Sequence, residues 1–178
     1  MDLQELIARA GADACRIVDA VAPEQWDAAT PCAEWDVRRL VEHFIVSLEG
    51  IPTMVSGTMP DWERRIDLGD APATAFAAAM ETNRAFFADA EHAAATMGRG
   101  MRAIDLDLTE IVVHTWDVAK ATGQAPALDA GAVEAAWAWA SGMPAEMRSG
   151  GTAFGAEVAV PDNAPTLDRL VGLLGRTP

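Results

Sequence analysis

Apolar residues recur at three- and four-residue intervals from the start of the chain. In LQELIARAGADACRIVDAVA, Leu3, Leu6, Ile7, Ala10, Ala14, Ile17, Val18 and Val21 fall on one stripe, which predicts an amphipathic helix ending before Pro23. Asp36 is a natural N-cap for a second helix, VRRLVEHFIVSLEG, with Val37, Leu40, Val41, Phe44 and Leu48 on its apolar face. Gly50 and Pro52 are expected to close it. Residues 51–74 contain Pro52, Gly57, Pro60, Gly69 and Pro72 and read as a long irregular connection, with a helical turn near DWERRI. Connections of that length are usually functional or cross over a bundle. A third helix is expected through ATAFAAAMETNRAFFADAEHAAATM, broken by MGRG, and a fourth through LTEIVVHTWDVA to about Thr122, stopped by Gly123. AGAVEAAWAWASGM predicts a fifth, with Val133, Trp137 and Ala140 on one face; TAFGAEVAVP reads as a short extended piece, and APTLDRLVGLLG as a final short helix opened by Pro165. Long helices without a succession of strands predict an all-α bundle.

The fourth helix departs from the simple pattern. Ile104, Leu106, Leu108, Ile111, Val112, Val113, Trp116 and Val118 cover most of its circumference, yet Asp107, Glu110, His114 and Asp117 sit among them. At 3.6 residues per turn those four fall within a wedge of roughly 80°. A helix apolar on most sides is packed on most sides, so the wedge is a poor candidate for a plain solvated face. Two readings stay open from these residues alone. Glu110 and His114 could be an exposed i,i+4 pair worth about 0.2–0.5 kcal/mol, or a carboxylate and an imidazole one turn apart that grip a metal ion. A metal needs a third ligand, and the chain has only three histidines. His92 lies beside Glu91 on a polar turn and reads as a surface residue. His43 flanks the apolar stripe of the second helix, where a histidine often serves as a core-edge residue. If helices two and four are neighbours, His43, Glu110 and His114 make a two-histidine, one-carboxylate set, the pattern of catalytic zinc or non-haem iron(II) rather than of a closed structural site.

Composition narrows the choice of chemistry. At 178 residues, 51% of them hydrophobic, the chain reads as a single domain, 1–178, with residues 151–178 as a short C-terminal extension. It is large enough to bury roughly 70% of its unfolded surface without a staple. Cys15 and Cys32 are too few for a disulfide framework and are expected to be free thiols, each packed as a small hydrophobe. The acidic start MDLQELIARA is no signal peptide, and no run of about 18 apolar residues occurs, so a soluble cytoplasmic protein is expected. Thirteen basic against 27 acidic residues, a net charge of −14, argues against nucleic-acid partners. Tyrosine is absent, which leaves His, Asp, Glu, Lys and Cys as acid–base groups. Arg38, Arg39, Arg84 and Arg102 could meet an anionic substrate, and nothing in the sequence selects one of them.

Three motifs in order carry a family resemblance: WDAATPCAEWDVRRLVEHF, Trp26 to Phe44; LTEIVVHTWDVAKATGQ; and AFGAEVAVPDNAPTLDRLVGLLGR. The chain resembles the metal-binding proteins grouped with mycothiol-dependent maleylpyruvate isomerase, within the DinB/YfiT-like superfamily. The resemblance implies a four-helix bundle with a long crossover connection. It also implies a divalent metal, usually zinc, with nickel or iron(II) as alternatives, held by His43, Glu110 and His114. It further implies a cytoplasmic enzyme using mycothiol or a similar small thiol, with a small electrophilic substrate as the other partner. That enzyme would be an isomerase or an S-transferase. Asp117, and less so Asp107, would orient a ligand imidazole. A homodimer is compatible with the chain. The isomerase carries a larger C-terminal domain, whereas 28 residues follow Gly150 here, so the resemblance supports metal binding more than isomerisation. The rival expectation is a non-catalytic metal-binding bundle acting in metal or stress response.

Overall fold

The computed structural model describes residues 2–32, 35–145, 148 and 154–178. Helix α1, Leu3–Asp19, starts where the Asp2 carboxylate accepts the Gln4 amide, and α2, Val37–Met54, starts where the Asp36 carboxylate accepts that of Arg39 at 2.7 Å. They are followed by α3, Pro72–Phe87, α4, Ala90–Ala94, α5, Ala103–Thr122, α6, Ala130–Gly142, and α7, Thr166–Leu173. No strand occurs among the described residues, and extended pairing is limited to isolated antiparallel bridges at Ala29–Asp36 and Thr96–Arg102. The fold is all-α, as the apolar spacing requires. No helix is long and apolar enough to cross a membrane.

The four longest helices close a ring in which α5 packs on α1 and α2, and α3 packs on the same two from the other side. Helix α6 covers α5 and carries α7. Fifteen residues of the 20-residue α5 are buried, so the polar wedge of this helix lies inside the molecule rather than on its surface. Phe44 of α2 meets Phe76 of α3 edge-on, 4.8 Å between ring centroids, and Leu40, Ile104, Leu108 and Ile111 fill the core beside them. With Phe44 committed to the core, His43 is carried about 100° round the helix to the edge of the α2–α5 contact. Gly123 ends α5 in the left-handed conformation, φ 69°.

Three sequence expectations are corrected. Helix α2 does not stop at Gly50 but runs through Pro52 to Met54, because the bond Pro52 cannot make is replaced from α3. The expected third helix is two helices: the Asp89 carboxylate accepts the amides of Glu91 and His92 and starts α4 afresh. His92 is no free surface residue, since its ring stacks on Phe86 at 4.0 Å and its Nδ1 lies 3.0 Å from the Phe86 carbonyl oxygen. The expected extended piece is not among these: residues 155–161 lie in no helix, and the Val158 amide bonds the Gly172 carbonyl; residues 152 and 153 of that stretch lie outside the described residues.

The connection between α2 and α3, residues 55–71, folds back as a strap across α2. Arg65 grips the buried Glu42 carboxylate with two nitrogens, Nε to Oε2 at 2.6 Å and Nη2 to Oε1 at 3.1 Å. Arg39 adds a bond from Nη1 to Glu42 Oε2 at 3.4 Å and one to the Arg64 carbonyl at 3.2 Å. Burial alone would push the Glu42 carboxyl up, but the Arg65 bonds hold it below its ordinary value. The strap lies close over Gly50, where a Cβ would meet Pro60 at 2.7 Å.

Candidate metal centre

The wedge of α5 and the edge of α2 meet at a cavity of about 450 Å³. His114 lines it, with both ring nitrogens engaged. Its Nε2 is 3.0 Å from Glu110 Oε2, one turn back, and its Nδ1 is 3.1 Å from Asp117 Oδ2, one turn on. The His43 ring from α2 stands nearly perpendicular to it, at 87° with centroids 5.3 Å apart. One ligand atom from each of His43, Glu110 and His114 lies within 4.8 Å of the others. Donors about 2.1 Å from a shared ion would be about 3.4 Å apart in a tetrahedron, so small side-chain shifts bring this set into reach.

The donor set also fits a cation electrostatically. His43 is driven down to about 4, chiefly by burial and then by the neighbouring His114, so near neutral pH it is an uncharged imidazole with a free lone pair. Its buried Nδ1 has no hydrogen-bond partner among the described residues, and its Nε2 lies 3.4 Å from Ser47 Oγ. Burial pulls His114 down, but Glu110 and the hydrogen bond to Asp117 outweigh it and raise the ring well above its ordinary value. Glu110 is pushed up by burial and pulled further down by His114, which leaves it a carboxylate. A proton shared between Glu110 and His114 is a charge that a divalent ion replaces.

A second trio, Cys32, His114 and Asp117, is equally close-packed. It already holds a cation. Arg176, from the segment after α7, is buried with Nη2 at 2.9 Å from Asp117 Oδ2 and Nε at 3.3 Å from Oδ1. Nη2 is also 3.4 Å from the Cys32 sulfur. A divalent ion there would face that guanidinium at contact distance, which disfavours this trio relative to His43, Glu110 and His114. Burial pushes Asp117 up, and its bonds to His114 and Arg176 overcome this and keep it ionised.

Aromatic side chains flank the candidate ligands. Trp35 packs on His43 at 4.5 Å, and Trp62 brings the strap over the cavity, 6.5 Å from His43. Asp107 is absent from the group: it is fully buried and bonds Asn83 at 2.8 Å, not a histidine. Of the four arginines named from sequence, Arg39 stands beside the site, and the other three have partners away from it. Arg38 and Arg39 lie over Trp26 and Trp35, while Arg84 and Arg102 pair with Glu81 and Asp105. Arg176 and Cys32 are the polar groups that sequence reasoning passed over. Cys32 stood in the TPCAEW stretch of the first motif, and Arg176 closed the third, AFGAEVAVPDNAPTLDRLVGLLGR, without a periodic signal of its own. Both cysteines are free and half-buried, and Cys32 is hydrogen-bonded rather than merely packed.

Residues 7–119 match the family model described as the mycothiol maleylpyruvate isomerase N-terminal domain. Two uncharacterized proteins of Mycobacterium tuberculosis, from strains CDC 1551/Oshkosh and ATCC 25618/H37Rv, are each 32% identical to the chain over 164 residues. The match covers 88% of this chain and 88% of each relative. No solved structure matches the chain.

Proposed function

Since the chain belongs to the mycothiol maleylpyruvate isomerase N-terminal domain family, we propose that it binds one divalent cation, zinc foremost, through His43, Glu110 and His114, and uses it with a mycothiol-type small thiol to transform a small electrophile. When bound, the cation acts as a Lewis acid that lowers the pKa of a coordinated thiol or water. The remaining chemistry belongs to the chain. His43 offers a neutral imidazole, Glu110 supplies the negative charge, and Asp117 fixes the His114 ring through Nδ1 so that Nε2 faces the cavity. Trp35 and Trp62 set apolar surface beside these side chains, and water displaced from it by a bound substrate would strengthen electrostatics within. The cavity volume lies in the roughly 300–1,000 Å³ range of small-molecule sites. Isomerisation would follow if the thiol leaves after bond rotation, and S-transfer if the sulfur is retained. Two free thiols and a thiol-using family fit a reducing cytoplasm.

The single observation that carries this reading is the convergence of three ligand atoms from α2 and α5 within 4.8 Å at the wall of a ligand-sized cavity. That cavity favours an enzyme over a bundle that only stores or senses metal. Equilibrium dialysis with zinc on wild type and His114→Ala tests it: near-stoichiometric binding by wild type and a large loss in the variant are expected. Equal binding by both, or none by wild type with zinc, nickel or iron(II), overturns the assignment.

A further inference from the structure

Cys32 stands on the same cavity wall as His114 and Arg176, yet it belongs to neither the ligand set nor the apolar lining. We propose that Cys32 is a site of reversible thiol–disulfide exchange with disulfides of small thiols, and that its modification loosens cation binding through Asp117. The proposal rests on the reading of the cavity as a small-thiol site.

Three features of the cluster support it. The Cys32 sulfur is half-buried and lines the cavity, so a small disulfide entering to reach the metal ligands passes within its reach. The buried Arg176 guanidinium, 3.4 Å from the sulfur, faces the negative charge that develops on sulfur during attack. Finally, the Cys32 S–H donates to Asp117 Oδ2 at 3.3 Å, the same oxygen that lies 3.1 Å from His114 Nδ1. The other thiol is an internal contrast. Cys15, on α1, is off the cavity, and burial together with Asp19 pushes its thiol up.

The exchange balances without an outside oxidant. The Cys32 sulfur attacks one sulfur of R–S–S–R, a Cys32–S–S–R bond forms as the original S–S bond breaks, and the thiol proton leaves with R–S–H. The modified sulfur has no hydrogen to give Asp117, and its R–S group must be seated against Arg176. Asp117 thus loses one partner and is crowded at the other. The histidine it orients loses its fixed ring position, a change that in metal sites is typically worth roughly 10–100-fold in affinity.

The test treats intact protein with oxidised glutathione and with bis(2-hydroxyethyl) disulfide, follows adducts by peptide mass mapping, and measures zinc affinity before and after. One adduct at Cys32 is expected, formed roughly tenfold or more faster than at Cys15 and reversed by dithiothreitol. Cys15→Ser should retain the fast adduct, Cys32→Ser should lack it, and the adduct should bind zinc roughly tenfold or more weakly. Equal rates at the two cysteines, or an adduct that binds zinc as tightly as untreated protein, overturns the proposal. Untreated protein that binds no zinc overturns the metal reading instead, whereas a zinc-binding protein without selective exchange at Cys32 overturns this proposal alone.

Discussion

The Asn83 side chain of α3 donates to the carbonyl oxygen of Leu48 on α2, 2.9 Å away, in the core of the molecule. Residue 52 would have supplied that bond from its amide, but it is a proline and has none. Asn83 therefore repairs α2 from outside, and its second amide hydrogen goes to Asp107 of α5 at 2.8 Å. One buried side chain ties three helices together. Asn83→Ala should leave the Leu48 carbonyl unpaired and cost about 1–3 kcal/mol. Adding Pro52→Ala should recover part of the loss by restoring the helical amide. Urea denaturation of the two single variants and the double variant checks this; additive losses would show that Pro52 and Asn83 are not coupled.

Asp107 gives the pH dependence. It is fully buried, Asn83 supplies its one bond, and its Oδ2 and the Asn83 Oδ1 are both without donors. Burial, opposed by the Asn83 bond, raises its pKa well above the ordinary carboxylate value. The folded state therefore holds a proton that the unfolded chain releases near pH 4, so this group's contribution falls as pH climbs from that value towards the folded pKa. Asp107→Asn supplies a permanent N–H donor and removes the dependence. Its stability relative to wild type should rise as pH climbs above about 4, by up to about 1.4 kcal/mol per pH unit until the folded pKa is reached. Parallel pH–stability curves would contradict an aspartic acid held neutral.

Asp117→Asn keeps the shape of the side chain and removes the charge shared by His114 and Arg176. Zinc affinity should fall by roughly 10–100-fold, measured by competition with a chromophoric chelator. Unchanged affinity would mean that the His114 ring is held by packing alone.

The strap depends on the missing side chain at Gly50. A Cβ there would stand 2.7 and 2.8 Å from Pro60 Cβ and Cγ and 3.6 Å from the Trp62 ring. Gly50→Ala should push the strap off α2 at a cost of about 1–3 kcal/mol, and trypsin should cut after Arg64 and Arg65 faster than in wild type. Identical digestion patterns would show that the strap does not bear on Gly50.

Much of the centre was legible because helical periodicity is a local property. Glu110, His114 and Asp117 declared themselves as polar positions on a helix whose other faces are apolar, and Asp36 placed His43 by setting the start of α2. Pro52 was misread for the opposite reason. A proline that cannot donate ends most helices, and only the tertiary fold reveals that Asn83, 35 residues from Leu48, supplies the replacement. The Ala-rich run on both sides of Asp89 hid a cap that the residue type itself announces. Arg176 and Cys32 lie 144 residues apart and meet through Asp117, a relationship without any periodicity to read.

Asp117 and Arg176 are separated by 59 residues. A ribosome adding about 5–20 residues per second needs ~3–12 s to travel that interval. Throughout it, the emerging chain already carries the apolar length of α5 and the carboxylate that must be buried with it, while the guanidinium that balances that carboxylate has yet to be made. The face that carries His114 and Asp117 is thus finished only once residue 176 has been added. A nascent chain stalled short of residue 176 would display its α5 stripe with Asp117 unneutralised, a ready signal for quality control.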